Sequence, residues 1–169
     1  AISIVSCADE NPYEAWGLKG RVKSFKETLH QPEYKFDKWK AGEKRHYGNF
    51  RVNFDEKGRL VDILYFDEGD KLSGKIVYVM EGGKVAEEIY YKEDGQLDTR
   101  SKINYISDLE LEFEAIDKDG KKIRGGKNFL KNGKMKEQTL LFYDREDVGR
   151  EVTILFDYDE RGNLSTMKN

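Results

Sequence analysis

The feature that most constrains the fold is a turn signal that recurs along most of the chain. From about residue 53 onward, residue pairs that favour tight turns return roughly every 12 to 13 residues. Pairs such as Asn-Gly, Asp-Gly and Gly-Gly tolerate positive φ, which lets them reverse a chain into a hairpin. Each period leaves room for one strand of about seven to nine residues and one turn. The pairs are Lys57-Gly58, Gly69-Asp70, Gly82-Gly83, Asp94-Gly95, Ser107-Asp108, Asp119-Gly120, Asn132-Gly133, Val148-Gly149 and Arg161-Gly162.

The segments between these turns have the composition of β-strands, being rich in Ile, Val, Leu, Phe and Tyr. Strands that follow one another through short turns predict an all-β fold, an antiparallel meander of about nine to eleven strands. Such a meander forms either an extended twisted sheet or a half-open barrel. The predicted strands are Leu60–Phe66, Lys75–Met80, Val85–Tyr91, Leu97–Tyr105, Leu109–Ala115, Lys122–Leu130, Met135–Tyr143, Glu151–Tyr158 and Leu164–Met167.

The N-terminal third lacks this period. Arg21–Leu29 predicts a first strand, and His46–Asp55 predicts a strand that leads into the first periodic turn. Between them, Glu33–Lys44 is charged with isolated aromatic residues, and two interpretations stay open. It is either a long hairpin or a short helix in which Phe36 and Trp39 share a face at i, i+3 spacing.

Composition narrows the classes of partner. The 169 residues include 30 Lys and Arg against 33 Asp and Glu, for a net charge of −3, without a strongly basic block. This balance argues against a nucleic-acid partner. Hydrophobic and charged residues each make up 37% of the chain. A wide sheet whose strands turn about half of their side chains to water has such a composition.

The first residues resemble the end of a bacterial lipoprotein signal peptide. Ile4-Val5-Ser6-Cys7 matches the lipobox pattern, and polar residues begin directly after the only cysteine. Residues 1–12 are therefore predicted to be a signal-peptide remnant and tether, and residues 13–169 a single β-repeat domain. Cys7 would carry the lipid, anchoring the protein to the outer membrane on its periplasmic or surface side and giving it no other membrane contact. The alternative is an ordinary thiol.

Two segments share the pattern aromatic-Asp-x-x-Gly-x-Leu, namely Phe54–Leu60 and Tyr158–Leu164, and looser copies lie between them. In such a turn, Asp binds backbone N–H groups, Gly takes positive φ and Leu re-enters the sheet. The pattern resembles the YD-repeats and MORN-like repeats of bacterial secreted proteins, lipoproteins and antitoxins, over about residues 53–164. The resemblance implies a scaffold or binding surface, and several members of these families neutralise a toxin.

No residue pattern in the chain predicts catalysis, a metal site or a cofactor. The two histidines, His30 and His46, are not in ligand spacing. The alternation in Leu109–Glu114 predicts a ladder of three carboxylates on one strand face, which could serve acid–base chemistry or hold a cation. The favoured interpretation is a solvated face whose charges are matched by basic residues of the next strand. The ladder is Glu110, Glu112 and Glu114, and the basic residues are Lys121, Lys122, Arg124 and Lys127.

Tyrosines interleaved with Lys and Glu have the composition of recognition surfaces. We therefore predict a non-enzymatic envelope lipoprotein that binds another protein. In the most specific form of this prediction, the partner is a toxin or effector and the protein is an immunity protein. The alternative is a carbohydrate-binding or nutrient-capture surface lipoprotein, and a hydrolase ranks third. The oligomeric state stays open. The predicted partner-binding surface consists of Tyr65, Tyr78, Tyr90, Tyr105, Tyr143, Glu110, Glu112 and Glu114.

Overall fold

A computed structural model describes residues 21–131, 134–143, 149–158 and 164–168, and in these residues the regular structure is entirely β. Eleven of the thirteen strands belong to one sheet, and the remaining two pair with each other. This described part of the chain contains no helix able to cross a membrane. The strands are β1 (Ser24–Glu27), β2 (His30–Lys35), β3 (Lys38–Lys44), β4 (Asn49–Phe54), β5 (Leu60–Phe66), β6 (Leu72–Glu81), β7 (Lys84–Lys92), β8 (Leu97–Tyr105), β9 (Glu110–Asp117), β10 (Lys122–Lys131), β11 (Lys134–Tyr143), β12 (Gly149–Tyr158) and β13 (Leu164–Lys168).

The order of the large sheet follows the chain from β4 to β13, with β1 added beside β4. The predicted all-β antiparallel meander is therefore confirmed, and Leu60–Phe66 and Leu97–Tyr105 have the bounds that the turn period predicts. The described residues form two compact units. One contains residues 21–79 and Ile89–Asp98, and the other contains Met80–Glu88 and the residues from Thr99 onward.

The segment Glu33–Lys44 is a hairpin, so of the two open interpretations the helix is wrong. Tyr34 pairs with Trp39 across β2 and β3, and a two-residue turn at Phe36 and Asp37 connects the strands. The i, i+3 spacing of Phe36 and Trp39 also fits this hairpin. The turn places one residue at the tip and the other on the returning strand.

The Asp-containing turns have the predicted hydrogen bonds. Asp55 Oδ1 accepts the backbone N–H groups of Lys57 at 2.8 Å and Arg59 at 2.9 Å, and Gly58 has φ of 80°. The turn that begins at Asp117 repeats this geometry, with Gly120 at φ 80°. A carboxylate that binds two backbone donors replaces the water they would otherwise bind, so this residue type recurs where strands reverse. The turns at 132–133, 144–148 and 159–163 lie outside the described residues.

One copy departs from the pattern. In the turn after β5 the positive φ, 63°, belongs to Asp70, although glycine occupies the preceding position 69. The Asp70 carboxylate lies 2.6 Å from the Nζ atoms of both Lys26 and Lys44. Hydrogen bonds from Lys26 and then Lys44 lower the pKa of Asp70 to about 2. The side chain thus connects this turn to β1 and to the end of β3, contacts that glycine could not make.

The core of the unit that begins at residue 21 is a row of side chains across three strands. Val52, Ile63 and Ile76 are register partners and are 0%, 7% and 5% exposed. The Phe25 ring of β1 stacks on Phe54, with centroids 6.3 Å apart, and meets Phe50 edge-on at 6.1 Å. Branched and aromatic side chains on one face of neighbouring strands therefore provide this core.

In the second unit, β9 has its carboxylates on one face and its buried residues on the other. Leu111 is 1% exposed and Ala115 is 0% exposed, and the β10 partner of Leu111 is Asn128. Buried Asn128 accepts a hydrogen bond at 3.0 Å from Nε2 of its β11 partner Gln138, which satisfies its amide oxygen. Leu109 precedes the strand and stays 59% exposed, so the apolar face begins at Leu111.

Candidate functional site

An open depression with a volume of about 390 Å³ lies on the carboxylate face of β8 to β12. We call it the charged trough. Residues of five strands line it, and both signs of charge occur among them. The residues that define it here are Lys102, Glu112, Glu114, Gly125, Lys127 and Tyr143.

Register explains why these side chains share a face. Glu114 pairs with Lys102 on one side and with Gly125 on the other, and Gly125 pairs with Leu141 of β11. Because partners in an antiparallel ladder point to the same face, a glycine in this row leaves a gap where a side chain would stand. A Cβ atom at position 125 would lie 3.7 Å from Tyr143 Cε2, so the tyrosine ring borders the gap. Gly125 and Tyr143 thus form a notch in the trough.

Two lysines hold the carboxylates of the trough. Lys127 Nζ lies 2.7 Å from Glu112 and 3.8 Å from Glu110, and Lys122 Nζ lies 2.6 Å from Glu114. The hydrogen bond and charge of Glu112 raise the pKa of Lys127, and those of Glu114 raise the pKa of Lys122. Of the four basic residues predicted to balance the charges of the ladder, Lys122 and Lys127 thus form ion pairs with its carboxylates.

This arrangement offers fixed charges of both signs to a ligand. The side chains of Glu112 and Glu114 stay 40% and 50% exposed although they pair with lysine, and Asn104, the register partner of Glu112, is an exposed residue with a side-chain amide. Among residues 21–131, 134–143, 149–158 and 164–168, no three His, Cys, Asp or Glu side chains form a group that could hold a metal ion. The paired charges of both signs suit the trough to recognition through charge and shape.

The structure separates the other predicted tyrosines from this site. Tyr78 is buried, with 8% exposure, and Tyr65 lies on the core face of β5, 6.4 Å from the Phe50 ring. Tyr105 is half-buried below Lys84 Nζ, which lies 4.8 Å from its ring centroid, and Tyr90 is half-buried. Of the five, Tyr143 alone lines the trough. Cys7, the predicted lipid attachment site, lies outside the described residues.

A second candidate surface is one that the sequence did not single out. Tyr34, Phe36 and Trp39 of the β2–β3 hairpin are 57%, 87% and 71% exposed. We call residues 30–44 the aromatic hairpin. The alternation of aromatic residues with lysine is typical of a strand pair with two different faces. The i, i+3 spacing of Phe36 and Trp39 fits a helix as well, so the sequence does not distinguish the two.

Comparisons with known proteins leave the family open. No family model matches the chain, and no curated protein matches it. Among solved structures, the chain is similar to a Bacteroides fragilis protein described as having unknown function. The two are 11% identical, with a TM-score of 0.40, over 77% of this chain and 92% of the other. The YD-repeat and MORN-like resemblance stays a prediction.

Proposed function

We propose that the protein is a non-enzymatic binding module of the bacterial envelope and that it receives another protein in the charged trough. The observation that carries the proposal is the notch formed by Gly125 and Tyr143 among paired charges of both signs. A notch beside an aromatic ring can take one anchoring side chain of a partner, and such anchors dominate the affinity of protein interfaces. The surrounding charges would set register and exclude partners of the wrong pattern.

The partner in the sharpest form of this proposal is a toxin that the protein neutralises. Support for it comes from the resemblance of the turn motifs to those of antitoxins and lipoproteins. The second candidate is a carbohydrate ligand, favoured by the presence of both the Tyr143 ring and the Asn104 amide in the lining of the trough, since sugar sites combine a stacking surface with planar polar groups. The ion pairs between lysine and glutamate favour the protein, because a neutral sugar has no charge to complement them.

Site-specific cross-linking tests this proposal. A photoreactive residue at Asn104, exposed within the trough, should capture one protein from the native envelope, whereas the same residue at Asp119 in the β9–β10 turn should not. In titrations with that purified partner, we expect Glu112→Lys to weaken binding about tenfold or more, because it reverses a charge in the contact. Asp119→Lys makes the same change of net charge outside the trough and should leave the affinity unchanged.

Other outcomes decide against the protein partner. If a glycan array detects tight binding that Glu112→Lys and Gly125→Leu abolish, the ligand of the trough is a carbohydrate and the proposed protein partner is wrong. If Asn104 and Asp119 capture the same proteins, the trough is not the contact surface. Circular dichroism of each variant separates loss of binding from loss of fold.

The lipid anchor at Cys7 belongs to the same proposal and has its own measurement. In cells that produce the protein with its complete leader, Cys7→Ser should abolish incorporation of labelled palmitate, because the acyl chains attach through this sulfur. Ser6→Ala keeps a small residue before the cysteine and should preserve labelling. Labelling that survives Cys7→Ser would refute the anchor and, with it, the envelope location that depends on the anchor.

A further inference from the structure

The aromatic hairpin has one apolar and one charged face. Pro32 pairs with Ala41, and Tyr34 pairs with Trp39, so these four residues share a face. The opposite face carries the pairs Glu33 with Lys40 and Lys35 with Lys38. All four residues of the apolar face are exposed. A two-stranded sheet with an exposed apolar face gains no free energy from burying that face within its own chain. An external surface that covers the face would provide that free energy.

Two features of the hairpin tip are energetically unfavourable, its backbone conformation and its exposed aromatic ring. Phe36 and Asp37 have φ of 53° and 58°, a conformation that favours Asn or Gly. Phe36 is also 87% exposed, so its ring gains little from burial within the chain. Strain and exposure at one residue are typical of positions kept for contact with a ligand.

The charges around the tip are mainly positive. Residues 35–40 contain three lysines and one aspartate, which leaves a net charge of +2 on the six residues. Lys40 Nζ lies 5.5 Å from the Phe36 ring centroid, and Lys35 lies 2.5 Å from Glu33 on the charged face. Cationic heads beside aromatic rings complement anionic phosphates above an apolar layer.

The base of the hairpin is held in place. Lys44, the last residue of β3, pairs with Asp70 at 2.6 Å, and His30 Nδ1 lies within hydrogen-bond distance of the Gly42 carbonyl oxygen, at 2.8 Å. Asn49 Oδ1 accepts the backbone N–H of Leu29 at 3.1 Å, just before β2. These contacts fix the strands on the side away from the tip, so the tip is presented by an ordered base.

The apolar face is a poor sugar platform. Its two large rings, Tyr34 and Trp39, are tilted by 57° with centroids 5.1 Å apart, so they offer no common plane for a flat sugar chain. Their neighbours on the same face, Pro32 and Ala41, have no side-chain group to bind hydroxyls. Tyrosine and tryptophan flanked by lysine are instead the residues enriched where proteins meet the membrane–water boundary.

We propose that the aromatic hairpin docks on the surface of an anionic lipid bilayer. Phe36 enters the boundary between headgroups and acyl chains, Tyr34 and Trp39 lie at the level of the headgroups, and Lys38 and Lys40 contact lipid phosphates. This contact adds to the single membrane attachment predicted at Cys7 and does not depend on it. The trough lies on other strands, so a partner can be tested there independently.

Vesicle binding by the full chain tests the docking. The protein carries Cys7→Ser, which removes any acyl anchor, and Trp16→Phe, which leaves Trp39 as the only tryptophan. We expect co-sedimentation with vesicles of phosphatidylcholine and phosphatidylglycerol in equal parts, together with a blue shift of Trp39 emission. Pure phosphatidylcholine vesicles should bind more weakly, and added salt should weaken binding to the anionic vesicles.

Phe36→Asn is the decisive variant, because asparagine suits the positive φ and should keep or raise thermal stability. We expect it to weaken vesicle binding roughly tenfold, from the loss of one buried phenyl ring. Phe129→Asn removes another exposed phenylalanine, on β10, and should leave binding unchanged. Lys38→Glu should weaken binding to the anionic vesicles by about fivefold or more.

Four results would overturn the proposal. They are the absence of binding to either vesicle, vesicle binding that Phe36→Asn leaves unchanged, a dimer in sedimentation that Phe36→Asn dissociates, and oligosaccharide binding that quenches Trp39. The last two assign the hairpin to a second copy of the chain and to a glycan.

Discussion

Replacing Gly126 with alanine should lower the free energy of unfolding by about 2 to 3 kcal/mol. Gly126 is buried on β10, between Phe113 of β9 and Leu140 of β11. A Cβ atom there would collide with the Thr139 carbonyl oxygen and lie 3.0 Å from the Phe113 ring. The ring covers the glycine backbone, an arrangement that compensates for the absent side chain. Because a carbonyl oxygen within a β-ladder cannot move without breaking its hydrogen bonds, the collision must distort the sheet.

The adjacent glycine provides the matched control. Gly125 lies on the opposite face, where an added Cβ atom would meet the Phe113 carbonyl oxygen at 3.3 Å and the Tyr143 ring at 3.7 Å. Gly125→Ala should therefore stay within about 1 kcal/mol of the original protein, since alanine also suits a strand better than glycine. Chemical denaturation of both variants measures the difference. Equal destabilisation would show that the two faces of β10 are equally crowded, contrary to the structure.

Truncating Leu111 to alanine should cost about 3 kcal/mol of unfolding free energy. Its side chain is 1% exposed, and its strand partners are Tyr105 and Asn128. Removing Cγ and the two methyl groups of leucine from such a position loses their transfer free energy and leaves a cavity that a β-ladder fills poorly. The thermal midpoint and the denaturant midpoint should both fall.

Leu109→Ala is the control for this substitution, two residues earlier in the chain. Leu109 is 59% exposed, so the same truncation should change the unfolding free energy by about 0.5 kcal/mol or less. If the two variants lost equal stability, Leu111 would not occupy the core position that the structure gives it. A large loss at Leu111 together with a small one at Leu109 supports the assignment of the buried face of β9.

The strand positions could be predicted from sequence because turn chemistry is local. Asp55 with Gly58, and Asp117 with Gly120, form their turns from neighbouring residues alone, so the turn pairs locate the strand ends. Where a turn residue also has distant contacts, local reasoning fails. Asp70 takes the positive φ predicted for glycine and binds Lys26 and Lys44, which are remote in sequence.

The candidate surfaces were only partly predictable. The ladder of Glu112 and Glu114 follows from alternation, since successive strand residues point to opposite faces. The notch at Gly125 does not, because it requires the register that places a glycine between Glu114 and Leu141. Tyr78 shows the same limit. Tyrosine is a residue type that is common on exposed recognition surfaces, yet Tyr78 lies two residues beyond Ile76 on the buried face.

The sequence by itself determined that this protein is an antiparallel meander, where most strands begin and end, and which residues alternate along each strand. These properties depend on φ preferences and on the two-residue period of a strand, both of which act over a few bonds. The tertiary structure alone decided that Tyr78 lies on a buried face, that Gly125 opens a notch beside Tyr143, and that Phe36 is exposed at a hairpin tip. Those properties depend on register and packing between strands, which bring together residues that are separate in the chain.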